Sequence, residues 1–93
     1  MDEIKQQTAS QAIRQRIQEL LLQKKMSQYR LEQLSGISHS QMGFIMKDRN
    51  RSMSFTTVLQ LCRGFNMALV EFFDSPQFNL DLIDIDKSVK GGG

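Results

Sequence analysis

The sequence predicts an all-α body of five short helices followed by a short extended C-terminal segment. Three observations point there. Apolar residues recur at three- and four-residue spacing in successive segments, the period of a helix face. Serines and glycines stand where those segments would start and stop. One proline and no tryptophan leave out the punctuation of an all-β sandwich. Ninety-three residues, 40% hydrophobic and 24% charged, make one domain with a small core. The spacing divides the chain into an N-terminal arm (residues 1–9), the helical domain (10–75) and a C-terminal segment (76–93).

The first helix is expected over residues 10–25, with Ile13, Ile17, Leu20 and Leu21 as its apolar stripe. Ser10 serves as N-cap, and Lys24 and Lys25 sit where cations favour a helix C-terminus. Ser27 caps a second helix over 28–35. Its capping box is incomplete, because Arg30 replaces the Glu or Gln that would reach back. Leu31 and Leu34 mark its buried face, and Gly36 ends it by accepting positive φ. Ser38 caps a third helix that runs to about residue 48. Around its axis, Met42, Ile45 and Met46 gather on one side. The other side carries Ser40, Gly43, Phe44 and Lys47, flanked by His39 and Gln41. A polar basic loop, Arg49-Asn50-Arg51-Ser52, follows. Ser54 opens a fourth helix with Phe55, Val58, Leu59, Cys62 and Phe65 inward, ending near residues 64–66. A short fifth helix over 68–73 packs through Leu69, Phe72 and Phe73, and Pro76 closes the body. From 78 to 86 apolar residues alternate imperfectly with aspartates, which predicts one extended strand or an ordered tail.

Composition excludes several function classes. No run of 18 apolar residues offers a membrane span, and the polar start lacks the apolar core of a secretory signal, so a cytoplasmic protein is expected. Lone Cys62 and lone His39 rule out an internal disulfide and a His/Cys zinc cluster, so no metal or cofactor is expected. No nucleophile–base pair and no phosphate-cradling glycine loop is present, which argues against an enzyme. Residues 1–73 hold ten Lys/Arg and six Asp/Glu, a net +4. Residues 74–93 hold two Lys and four Asp, a net −2. A mildly basic body suits a polyanion partner.

Two short helices joined at a glycine, the second with an outward polar stripe, form a helix-turn-helix arrangement. A helix fits the major groove of B-DNA, and side chains near its N-terminus reach base edges. Over roughly residues 13–73 the sequence resembles the lambda-repressor-like, XRE-type domains of bacterial and phage regulators. The resemblance rests on Ser27-Gln28-Tyr29-Arg30-Leu31, Leu34-Ser35-Gly36-Ile37-Ser38, Met42, Ile45 and Leu61-Cys62-Arg63-Gly64-Phe65-Asn66-Met67 followed by Glu71-Phe72-Phe73. It implies that double-stranded DNA is the partner, with Gln28 anchored on phosphate and His39, Ser40, Gly43 and Phe44 facing the bases. Ser38, Gln41, Lys47 and the Arg49-Asn50-Arg51 loop are read as backbone contacts. Four positions depart from the family pattern: Glu32 replaces a small residue, and Met46, Asp48 and Met53 replace a glutamate, a glycine and a proline. None of the four is expected to touch the reading face.

Each assignment has a plainer rival. Gln28 is either a phosphate anchor or an ordinary solvated side chain, and His39 is either a surface residue or a DNA contact. Gly43 either admits close approach to DNA or is a tolerated weak spot costing about 1 kcal/mol relative to alanine. Phe44 either meets a thymine methyl or is partly buried against the loop or a partner subunit, the first being favoured. Cys62 reads as a core thiol. The function that follows is a sequence-specific transcriptional regulator acting as a homodimer, paired through Leu69, Val70 and Phe73 or through the 78–85 segment. The alternative is an antitoxin-like module that holds a protein partner through residues 77–86 and also binds its own operator.

Overall fold

The computed structural model describes residues 7–47 and 53–84. A two-residue strand, β1 (Gln7–Thr8), leads directly into α1 (Ala9–Gln23). Thr8, not Ser10, is the N-cap. Its hydroxyl accepts from the Gln11 amide at 3.1 Å, and the Gln11 side chain accepts from the Thr8 amide at 2.9 Å. That reciprocal pair satisfies two amides the first turn would otherwise strand, and it moves Ser10 inside the helix, where it is buried. Ala12, Ile13, Ile17 and Leu20 form the buried stripe. The helix closes through Lys25 at φ 52°, with the Lys25 and Met26 amides donating to the Leu22 and Leu21 carbonyls at 3.2 and 2.9 Å.

α2 (Gln28–Ser35) starts as expected. The Ser27 hydroxyl accepts from the Arg30 amide at 3.0 Å, and Gly36 at φ 80° ends the helix. Its buried face differs from expectation, being Leu31, Glu32 and Ser35, with Leu34 turned to the exposed edge. The cause lies in α4 (Phe55–Phe65), which packs on α2 through Gly64. A Cβ there would stand 2.8 Å from Leu31 Cδ1 and 2.9 Å from Ser35 Cβ. The small residues that let these helices approach are therefore Gly64 and Ser35, which leaves room for a glutamate at 32. The same approach rotates α4 away from the expected orientation. Thr57, Val58, Leu61, Cys62 and Phe65 are buried, while Phe55 and Leu59 face out at 62% and 45% exposure. Ser54 caps the helix, its hydroxyl accepting from the Thr57 amide at 3.1 Å, and Asn66 at φ 55° ends it.

α3 (His39–Lys47) buries Met42 and Ile45 and half-buries Met46, as the spacing implied, with Ile37 buried just before it. The expected extension to residue 48 lies outside the described residues. α5 (Leu69–Phe72) buries Phe72, whose ring meets Phe73 edge-on at 5.1 Å, and Phe73 meets Phe78 edge-on at 4.7 Å.

Beyond α5 the described chain is mostly not extended. Pro76–Phe78 and Leu80–Leu82 are 3₁₀ turns, and only β2 (Ile83–Asp84) is a strand. Of the two readings of residues 78–86, the extended strand is corrected to Ile83–Asp84 and the described remainder is an ordered run of turns, while residues 85 and 86 lie outside the described residues. The Asn79 side chain accepts from the Asp81 amide at 2.9 Å and bends the chain. Gln77 is pulled inward, donating to Glu19 Oε1 of α1 at 3.2 Å. β2 pairs in parallel with β1, Gln7 opposite Ile83 and Thr8 opposite Asp84. Arg16 completes this side of the molecule. Buried in α1, it donates to the Phe72 and Glu71 carbonyls at 2.7 and 2.8 Å, two acceptors at the C-terminal end of α5, of which the Glu71 carbonyl also accepts from the Asp74 amide at 3.2 Å.

Candidate nucleic-acid interface

α3 is anchored from four sides, which sets what it can present. Met42 and Ile45 hold its inner face in the core. Ser38 caps its start, the hydroxyl accepting from the Gln41 amide at 3.1 Å. At its other end Arg14 of α1 donates from Nε to the Ile45 carbonyl at 3.2 Å, placing a cation where the helix dipole is negative. A side link joins it to α4, the Gln41 amide group donating to the Thr57 hydroxyl at 3.3 Å. The nine residues of α3 span about 13 Å, and a helix with its side chains is about 10–12 Å across, a cross-section that a groove about 12 Å wide admits.

The outward face carries the residues that the sequence singles out. His39, Ser40 and Lys47 are exposed, Phe44 is 54% exposed, and Gly43 is half-buried. Ser40, Gly43, Phe44 and Lys47 together line a shallow open concavity. Among the described residues, a Cβ built on Gly43 would meet nothing within 4 Å beyond its own helix, so no described neighbour demands glycine there. Gln28 is half-buried as the first residue of α2. Ser38 is exposed with its hydroxyl engaged in capping, and Gln41 is exposed while bonded to Thr57. Arg49, Asn50 and Arg51 lie outside the described residues.

Two side chains at this site have no role that the sequence alone assigns. Glu32 stands out there only as a departure with no bearing on the reading face, yet its buried carboxylate meets His39 Nδ1 at 3.0 and 3.2 Å. The signal is present in part, a charged residue where a small one is usual, but its partner lies seven residues on, across the turn. Arg14 carries no signal, since its acceptor is a main-chain carbonyl 31 residues away. Elsewhere, burial raises the Cys62 thiol above its ordinary range, in keeping with a core residue. Among the described residues no cluster of three or more His, Cys, Asp or Glu is placed to hold a metal ion. No described helix is long and apolar enough to cross a membrane.

A capped short helix, a glycine turn in the left-handed region, and a second helix locked inward by Met42 and Ile45 define a helix-turn-helix DNA-binding domain. The profile of the Cro/C1-type HTH DNA-binding domain matches residues 16–76, and the chain belongs to that family. No curated protein and no solved structure matches the chain.

Proposed function

We propose that this protein is a sequence-specific regulator of transcription that lays α3 in the major groove. The observation that carries the reading is the division of α3 into a face committed to the core and a face that is open to solvent, lined by Ser40, Gly43, Phe44 and Lys47. His39, Ser40, Gly43 and Phe44 read base edges. Gln28, Ser38, Gln41, Lys47 and the Arg49-Asn50-Arg51 loop meet the phosphates that set register. Phe44 supplies apolar contact to a thymine methyl, a use that accounts for an aromatic ring left more than half in water.

One module of this size spans few base pairs, so a homodimer on a pseudo-palindrome with half-sites about 34 Å apart is the working arrangement. Of Leu69, Val70 and Phe73, the α5 side of the expected dimer surface, Val70 at 76% exposure is the one left open. Holding a protein partner through residues 77–86 is the lesser reading. Gln77 is buried and bonded to Glu19, and Phe78 packs on Phe73, so part of that segment is already in use within the domain. Selection from random duplex oligonucleotides tests the proposal. A two-fold symmetric motif is expected, with Ser40→Ala and Phe44→Ala changing base preference and Arg51→Ala weakening all sites alike. Recovery of no motif, or a motif that ignores both α3 substitutions, defeats the assignment of the reading face.

A further inference from the structure

Glu32 is an awkward residue in its own helix. It stands in the last turn of α2, where a negative charge opposes the dipole, and its side chain is 8% exposed. A carboxylate so far out of water needs a donor. Among the described residues its hydrogen-bond partner is the His39 ring, with Nδ1 at 3.0 Å from one oxygen and 3.2 Å from the other. His39, the first residue of α3, is the opposite case. Its side chain is 88% exposed even though one ring nitrogen is tied down. The ring is thus gripped by its inner edge at the end of the helix nearest the bases, with the far edge projecting.

An ionised carboxylate only accepts, so the nitrogen facing it carries the hydrogen. A neutral imidazole has a single N–H, and placing it on Nδ1 leaves a lone pair on Nε2. In the major groove the donors available to a lone pair are the exocyclic amines, N6 of adenine and N4 of cytosine. We infer that Glu32 is a positioning residue that holds His39 as the Nδ1–H tautomer, so that Nε2 accepts from an adenine or cytosine amine at one position of the half-site. The inference rests on the DNA-reading role of α3 proposed above and adds to it a base class and the residue that sets it. Without Glu32 the ring rotates and exchanges tautomers, and Nε2 meets donors and acceptors alike.

His39 is the sequence's single histidine, so its ring is read without assignment. Long-range proton–nitrogen NMR spectra of the free protein at about pH 8.5, above the ordinary imidazole range, report the tautomer directly. The wild type is expected to show hydrogen on Nδ1, and Glu32→Ala to shift population to Nε2–H. A wild-type ring already carrying hydrogen on Nε2, or a ring unchanged by Glu32→Ala, overturns the inference. Oligonucleotide selection at the same pH supplies the second arm. One base pair is expected to depend on His39: removing the exocyclic amine of its adenine or cytosine, with a base analogue that lacks the group, weakens binding, and the selected preference there falls about 5-fold or more in both His39→Ala and Glu32→Ala while other positions keep theirs. Glu32→Gln, which retains a carbonyl acceptor and the side chain's shape, restores part of it and stands in should the alanine variant not fold. A His39-dependent base pair that tolerates loss of that amine, or whose preference Glu32→Ala leaves intact, overturns the inference and spares the DNA-reading role. A wild type that selects no sequence overturns both.

Discussion

Among the described residues, a methyl group added at Gly43 would meet nothing within 4 Å beyond its chain neighbours and its own helix backbone, and glycine inside a helix costs about 1 kcal/mol relative to alanine. Gly43→Ala is therefore expected to raise the melting temperature by about 4–8 °C, the shift that about 1 kcal/mol gives a domain of this size. If the open backbone serves close approach to a base pair, the same variant loses DNA affinity. Paired thermal melts and binding titrations read the two effects, and a variant gaining both stability and affinity would leave glycine at 43 with no role in DNA approach. Cys62 makes a simpler case. Desolvation raises its thiol, so the native protein keeps it protonated and inert. Alkylation at neutral pH should be slow until denaturant is added. Because the native state holds that proton longer than the unfolded chain, the thiol's contribution to stability is full below the unfolded value. It is lost as pH rises through the folded one.

The contact between α2 and α4 shows most clearly what periodicity carries and what it leaves out. With Leu31 Cδ1 and Ser35 Cβ within 2.9 Å of where a Gly64 methyl would go, Gly64→Ala should destabilise by about 1–3 kcal/mol, measured by denaturant unfolding. That is the reverse of the sign expected at Gly43. Helix positions, most caps and the two faces of α3 are legible because they depend on local spacing. Ser27, Ser38 and Ser54 all cap as serine does at a helix start, and Met42 and Ile45 fall on one side of a nine-residue helix. Which flank of an apolar stripe becomes buried depends instead on the partner helix. Phe55, Leu59 and Leu34 are apolar at helical spacing yet remain exposed, because Gly64 brings α4 onto Ser35 and turns those residues outward. The Thr8–Gln11 box is readable in principle, being a threonine followed by glutamine three residues on. The outward face of α3 is largely legible. Its underpinning by Glu32 and Arg14 is not, since both act across the fold through partners that no local pattern marks.

At the scale of the molecule, affinity for DNA should be governed by salt more than by any one base contact. The body carries ten basic residues against six acidic ones over residues 1–73, and each phosphate neutralised releases counterion. Lys47, exposed at the end of α3, is expected to contribute one such contact. Lys47→Ala should make the slope of log affinity against log salt shallower by about one, with base preference unchanged. An unaltered slope would move Lys47 off the phosphate. The other side of the molecule is organised around α1, where Arg16 ties down α5 and Glu19 receives Gln77, bringing the ends of the described chain together as β1 and β2. The two strands run in the same direction, so the chain arrives at Gln7 from one end of the pair and departs after Asp84 at the other. Tension applied through both ends would slide these strands past each other rather than unzip them. The hydrogen bonds of the smallest element would bear that load together, before any helix was asked to unwind.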